Sequence, residues 1–340
     1  MKKYKTIIIG AGPAGLRCAK ILAENNEDFL LLEKNPDIKR KICTGLWGIT
    51  DKTNYMRLPK NLFQRKFNKV IISTKNRKFE IKTKKPFAAT LNRKELSRYM
   101  LKEIKKIGVR EICFNSHVSK IGKNFVVVNN KKIFFEYLVG ADGSSSLVRK
   151  HLGLKTNKYV VGIQYWVNQK INFPEIHLDV DKFSYWYGWV APHKNKFSIG
   201  IGGDPSIMPV QEMKENLNSW CKEKNIKPTG DIEGAIINSD YQGYKFENKF
   251  LIGDAAGFAS ALTGEGIYFA MASGEDVAKT ILDKNYNPLL IKEVLKIKEK
   301  HESILNMRRI NKYSAKFLNN LFISLLKLKF FREKSIELFC

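Results

Sequence analysis

Residues 6–15 read Thr6-Ile7-Ile8-Ile9-Gly10-Ala11-Gly12-Pro13-Ala14-Gly15. A β-branched apolar run ends at Gly10, and helical spacing continues from Ala14 to about Asn25. This is strand, glycine turn, helix. Gly10 permits the turn, Gly12 lets a pyrophosphate approach the backbone, and Gly15 lets helix and strand pack closely. The helix then aims its free N–H groups and positive dipole end at the phosphates. A second apolar run, Phe29–Leu32, ends in Glu33, where a carboxylate can accept hydrogen bonds from a ribose diol. The flanking strand, helix and spacing to Glu33 together predict a dinucleotide site with Ala14 inside the turn and Lys34 beside the carboxylate.

The chain has 340 residues, long enough for one large domain or two joined ones. Sixty Lys and Arg against 33 Asp and Glu give a formal charge of +27. That raises nucleic acid and anionic membranes as partners. The basic residues are spread along the chain, with no zinc-finger spacing, aromatic RNA-binding signature or arginine-rich arm, so no nucleic acid is expected. Cys18, Cys43, Cys113, Cys221 and Cys340 form no CxxC pair and are odd in number, which argues for a reducing, cytoplasmic compartment. The apolar run after Met1 is too short for a signal peptide, and no stretch is long enough to span a bilayer. The five histidines are scattered, so no metal site is expected.

After the second strand, residues 40–50 form a loop holding Lys41, Cys43 and Gly45. Alternating runs at 69–74 and 78–83 read as a hairpin. Asn92 caps a helix carrying Arg93 and Arg98, with Glu95 three residues on. Short strands follow near 111–128, and residues 159–203 read as antiparallel strands of a second sheet. Met213–Lys224 is helical by pattern. The tail from Leu289 to Phe339 is mostly helical, with Leu318, Leu321, Phe322, Leu325 and Leu328 on one face between lysines. Such a face suits either a membrane surface or the protein's own core.

Two further strands end at glycine corners: Gly140-Ala141-Asp142-Gly143, leading to Arg149, and Gly253-Asp254, leading to Thr263-Gly264-Glu265-Gly266-Ile267. Asp254 can hold a ribityl hydroxyl. The helix after Gly266 can place its N-terminus against the oxygen and nitrogen edge of a flavin, where the reduced ring becomes negative.

These three motifs, in this order, resemble the flavoprotein superfamily of the aromatic hydroxylases. Within it, Arg40-Lys41-Ile42-Cys43-Thr44-Gly45, Tyr187-Gly188-Trp189-Val190-Ala191-Pro192 and Ile199-Gly200-Ile201-Gly202-Gly203 resemble the geranylgeranyl reductase family. The resemblance implies an α/β (α+β) fold: a Rossmann-like three-layer FAD-binding domain, an inserted antiparallel β-sheet substrate domain and a helical C-terminal tail. It divides the chain into 1–65, 88–155 and 235–285 for FAD, 66–87 and 156–234 for substrate, and 286–340 for the tail.

Carried over by residue, Gly10, Gly12, Ala14, Gly15, Glu33 and Lys34 bind the ADP half, and Arg93 or Arg98 reaches the pyrophosphate. Lys41, Cys43, Gly45, Gly253, Asp254, Gly264, Glu265, Gly266 and Ile267 line the ribityl and ring portions, while Asp142 and Arg149 brace the site. Tyr165, Tyr185, Tyr187, Trp189, Pro192 and His193 are expected to meet a prenyl chain. Cys43, Tyr187 and Trp189 are the catalytic candidates. The implied reaction saturates isoprenoid double bonds, with hydride from reduced flavin to one carbon and a proton to the other. The electron donor is external: NAD(P)H, ferredoxin or a deazaflavin. The rival readings are an FAD monooxygenase acting on a small apolar substrate and a non-enzymatic binding protein on a degenerate scaffold.

Overall fold

A computed structural model describes residues 2–38, 42–50, 56, 58–108 and 111–339. Its main sheet is built on the strand Lys3–Ile9, which is buried along its C-terminal half. The strand lies between Phe29–Leu32 and Lys131–Gly140, parallel to both. Lys249–Leu251 and Ile112–Cys113 extend the parallel set outward. Residues 125–128 and 118–121 run antiparallel off Lys131–Gly140. Parallel strands buried on both faces require continuous apolar runs, which Ile7-Ile8-Ile9 and Phe29–Leu32 provide.

Helix Pro13–Glu24 packs against helix Ile267–Leu282. A side chain at Gly274 would meet the Ala14 carbonyl at 2.3 Å, so the glycine sets that close approach. Helix Arg93–Lys106 starts at Asn92, whose side chain accepts from the backbone N–H of Lys94 and Glu95, as the capping pattern predicts.

The second sheet has seven strands in the order 229–238, 159–167, 197–203, 188–192, 175–177, 69–73, 78–82. The 69–73/78–82 hairpin is at the expected place, and its first strand joins 175–177 in parallel. The strand Thr229–Asn238 pairs with 159–167 along its length, so this sheet runs beyond the expected boundary at 234. The run 159–203 is not wholly strand: a short helix, Val180–Phe183, interrupts it. Helix Val210–Glu223 buries Met213, Leu217, Trp220 and Cys221 against one face of the sheet. A small third sheet, 46–48, 88–91 and 63–67, holds the Cys43 loop.

Helices Leu289–Arg309, Lys312–Leu325 and Lys329–Phe339 form the tail. None of the described helices is long and apolar enough to cross a membrane. Leu318, Leu321, Phe322 and Leu325 line the inner wall of the central cavity, while Leu328 is exposed.

Glu175, at the start of strand 175–177, accepts hydrogen bonds from His177 Nε2 at 2.7 Å and Lys224 Nζ at 2.9 Å. These contacts hold its carboxyl at about 2. A depressed carboxylate pKa stabilises the fold above the unfolded value and loses that contribution as pH falls toward the folded one. Glu175→Gln is expected to cost about 1–2 kcal/mol at neutral pH. Urea midpoints should show the penalty vanishing near pH 2. A penalty independent of pH contradicts the assignment.

A cofactor groove and an apolar cavity

The C-terminal ends of the parallel strands bring the three glycine corners together. At the first, Gly10 has φ +107°, and a Cβ there would lie 2.4 Å from the Ala141 carbonyl oxygen of the second corner. A Cβ on Gly15 would lie 2.0 Å from the Gly10 oxygen. Gly12 differs: its φ of −75° and ψ of 175° suit any residue, and a Cβ there meets nothing within 4 Å. The space over Gly12 is open, and the helix that starts there has no side-chain cap and no acidic residue in its first turn. Its first N–H groups therefore suit an anion. Glu33 accepts from the Ala11 N–H at 2.9 Å and from the Asn35 N–H at 3.0 Å, which fixes its carboxylate at the strand tip.

At the second corner, Asp142 accepts from the backbone N–H of Leu147 at 2.6 Å, capping the short helix Leu147–His151. Burial pushes its carboxyl upward. At the third, Asp254 accepts from the Ser144 hydroxyl at 3.2 Å, so the second and third corners touch. Helix Ile267–Leu282 begins at Gly266 without a side-chain cap, and its first turn carries no acid. Both helix starts, at Gly12 and at Gly266, thus leave backbone N–H groups free to meet an anion. Arg93 lines the cavity beyond. Arg98 is exposed and bound to Asp37 at 3.0 Å, while Lys34 is exposed at the strand tip. Lys41 and Cys340 lie outside the described residues.

Residues of the third corner line a cavity of about 650 Å³. Cys43, Gly45, Asp254, the 263–267 loop, Tyr187 and Trp189 all line it. Cys43 is half-buried, and its Sγ accepts from the Gly45 N–H at 3.3 Å. The Tyr187 hydroxyl donates to the Thr263 carbonyl, joining the substrate sheet to the flavin loop. Burial raises the Tyr187 phenol far above its usual range, so it stays protonated. The Trp189 ring lies over Gly162, Gly200 and Gly202; a Cβ on Gly200 would come within 2.3 Å of the indole. The 199–203 glycines thus clear a trough for Trp189. Its Nε1 is buried with no acceptor among the described residues.

Four expected substrate residues are elsewhere. Tyr165 is one position out of phase: Gly162 and Gln164 face the cavity, whereas Tyr165 turns to the opposite face and donates to Asn218. Tyr185 packs against the Val160–Leu262 cluster, and Pro192 accepts from Thr90 Oγ1 through its carbonyl. His193 is buried behind the Cys43 loop, with Nε2 2.9 Å from the Thr44 carbonyl and Nδ1 2.8 Å from Gln64. It braces that loop rather than the cavity. Reasoning from sequence missed Gln164, Asn319 and Arg308, which line the cavity; only strand alternation signals Gln164, and nothing local marks the other two.

Glu33, the adjoining glycine corners and the two uncapped helix starts make up a dinucleotide-binding fold of the Rossmann type. The chain belongs to the FAD binding domain family, which matches residues 46–283; a NAD(P)-binding Rossmann-like domain matches residues 8–38. It is 26% identical over 342 residues to a digeranylgeranylglycerophospholipid reductase of Methanococcus vannielii, covering 89% of this chain and 84% of the relative. Among solved structures, a geranylgeranyl bacteriochlorophyll reductase-like protein of Thermoplasma acidophilum superposes with a TM-score of 0.78 at 18% identity, covering 97% of this chain and 92% of that one. The flavin-dependent brominase Bmp2 superposes at 0.74 with 17% identity, covering 99% and 93%. The fold is therefore shared by flavoproteins of different chemistry.

Proposed function

We propose that this FAD-dependent oxidoreductase reduces carbon–carbon double bonds of a prenyl lipid or lipid precursor. The observation that carries this reading is the cavity itself: one apolar space joins the flavin loops to a wall of Val70, Ile72, Phe87, Leu178 and Phe322. Its volume suits a long small-molecule chain, and its lining is mostly apolar. The name of the Methanococcus relative supports the same reading.

Reduced FAD, when bound, supplies a hydride. The chain's own task is to orient an isolated alkene and deliver a proton to its other carbon, because no neighbouring carbonyl stabilises a carbanion there. The apolar wall fixes the chain. Tyr187 and Trp189 line the same cavity as Cys43. The Cys43 thiol is the group on the loop wall with a proton to give, and His193 holds its loop in place through Thr44. Electrons come from an external reductant. The tail turns Tyr313, Phe317 and Phe330 outward among Lys312, Lys316, Lys327 and Lys329, a face suited to an anionic membrane from which a lipid could load.

The test is anaerobic incubation of reduced protein with geranylgeranyl lipids, followed by mass spectrometry. Products should gain two hydrogens per saturated bond. Oxygen-dependent hydroxylation with no anaerobic gain would instead favour a monooxygenase. Cys43→Ala is expected to lower turnover about 100-fold while flavin content is unchanged; unaltered turnover would remove Cys43 from proton delivery.

A further inference from the structure

Arg308 is 7% exposed and lines the cavity near the end of helix Leu289–Arg309. Its Nη2 donates to the Trp186 carbonyl at 3.0 Å, and its Nε is buried without an acceptor. Neighbouring cations are neutralised: Arg309 by Asp204, Lys298 by Glu302 and Lys334 by Glu337. Arg308 has no carboxylate partner among the described residues. Burial pulls its guanidinium down to about 10, still charged at neutral pH. An isolated buried charge is costly unless something pairs with it, and no acid among the described residues does so. The guanidinium fork matches phosphate oxygens in two-point fashion.

We propose that Arg308 anchors the anionic head group, a phosphate or diphosphate, of the molecule held in the cavity. The inference rests on the prenyl-chain reading above. Met307, beside it on the cavity wall, is 47% exposed, so this end reaches the surface. A head group held there leaves its chain to run past Trp186 and Tyr187 toward the apolar wall at Ile72 and Phe322. Arg308 would thus select phosphorylated prenyl chains over neutral ones and fix which double bond meets the flavin loops.

The test is binding to the FAD-loaded protein, which requires no turnover. The probes are inorganic diphosphate, geranylgeranyl diphosphate, digeranylgeranylglyceryl phosphate and geranylgeraniol. Arg308→Met is expected to weaken the phosphorylated prenyl ligands about 30-fold or more and geranylgeraniol less than about threefold. Arg308→Lys should restore most of the difference. The melting temperature of Arg308→Met should change little, because removing a buried charge with no carboxylate partner offsets the bond lost at the Trp186 carbonyl. Whichever of the free diphosphate and the glyceryl phosphate depends more on Arg308 identifies the head group. Equal weakening of charged and neutral ligands together with a lower melting temperature would make Arg308 structural and overturn the proposal, as would failure of every phosphorylated probe to bind. If geranylgeraniol binds as tightly as the diphosphate, the anchor fails and the prenyl reading stands. If inorganic diphosphate binds through Arg308 and no prenyl ligand does, the anchor stands and the prenyl reading fails.

Discussion

Gly12→Val protein is expected to fold and to emerge from purification colourless, with FAD affinity lowered at least about 100-fold. Gly12 has backbone angles open to any residue, and a Cβ there touches no protein atom. Its methyl groups would occupy the open space over the uncapped helix start, where a pyrophosphate would meet backbone N–H groups. The apo fold should therefore melt as the wild type does. Gly15→Ala is the contrasting variant: its Cβ would lie 2.0 Å from the Gly10 oxygen, so the fold itself must yield. Circular dichroism of the apo proteins and FAD titration separate the two effects. Gly12→Val protein that binds FAD within about threefold of wild type would place the pyrophosphate elsewhere.

Arg149→Met is expected to cost about 3–5 kcal/mol of stability, enough to unfold much of the protein or strip its flavin. Arg149 is 2% exposed. Its guanidinium donates to the carbonyls of Ala255 and Ala256 at 3.4 Å, Lys155 at 3.0 Å and Asp240 at 2.8 Å, and it meets the Asp240 carboxylate at 3.4 Å. Removing it takes a donor from four carbonyls and a carboxylate; the Asp240 carboxylate keeps Asn157 and Gln242, and the Lys155 carbonyl keeps Gln242, but the carbonyls of Ala255, Ala256 and Asp240 lose theirs. Burial draws the guanidinium downward and Asp240 opposes that, so the charge is held by its surroundings. Because Ala255 and Ala256 follow Asp254, the damage reaches the flavin loop. Arg149→Lys should recover only part of the loss, since an ammonium cannot span these acceptors. Urea denaturation checks this, and a loss under about 1 kcal/mol would contradict it.

The dinucleotide half was legible because its demands are local. A strand, a turn and a helix start within ten residues leave few other readings for Gly10, Gly12 and Gly15. The helix start after Gly264–Gly266 was legible for the same reason. The substrate half depends on strand phase and on packing between distant segments, which no short window contains. Aromatic composition drew attention to Tyr165, yet parity turns it away and gives the cavity to Gln164. His193 stood in a motif beside Pro192, but two hydrogen bonds draw it behind the Cys43 loop. The apolar stripe at 318–325 was visible, while its destination was set by the sheet it folds onto. Arg308, one arginine on a basic helix, gains meaning only once Trp186 and the cavity surround it.

Three strand ends are expected to hold one FAD whose reactive ring faces the apolar cavity lined by Cys43, Tyr187 and Trp189. The most direct test is a crystal structure of the FAD-loaded protein with a geranylgeranyl lipid. The account predicts FAD extended from Glu33 to Gly266, with its ring against residues 43–45 and a prenyl chain in the cavity beyond it. A ring turned away from Cys43, or a chain bound outside the cavity, would contradict it.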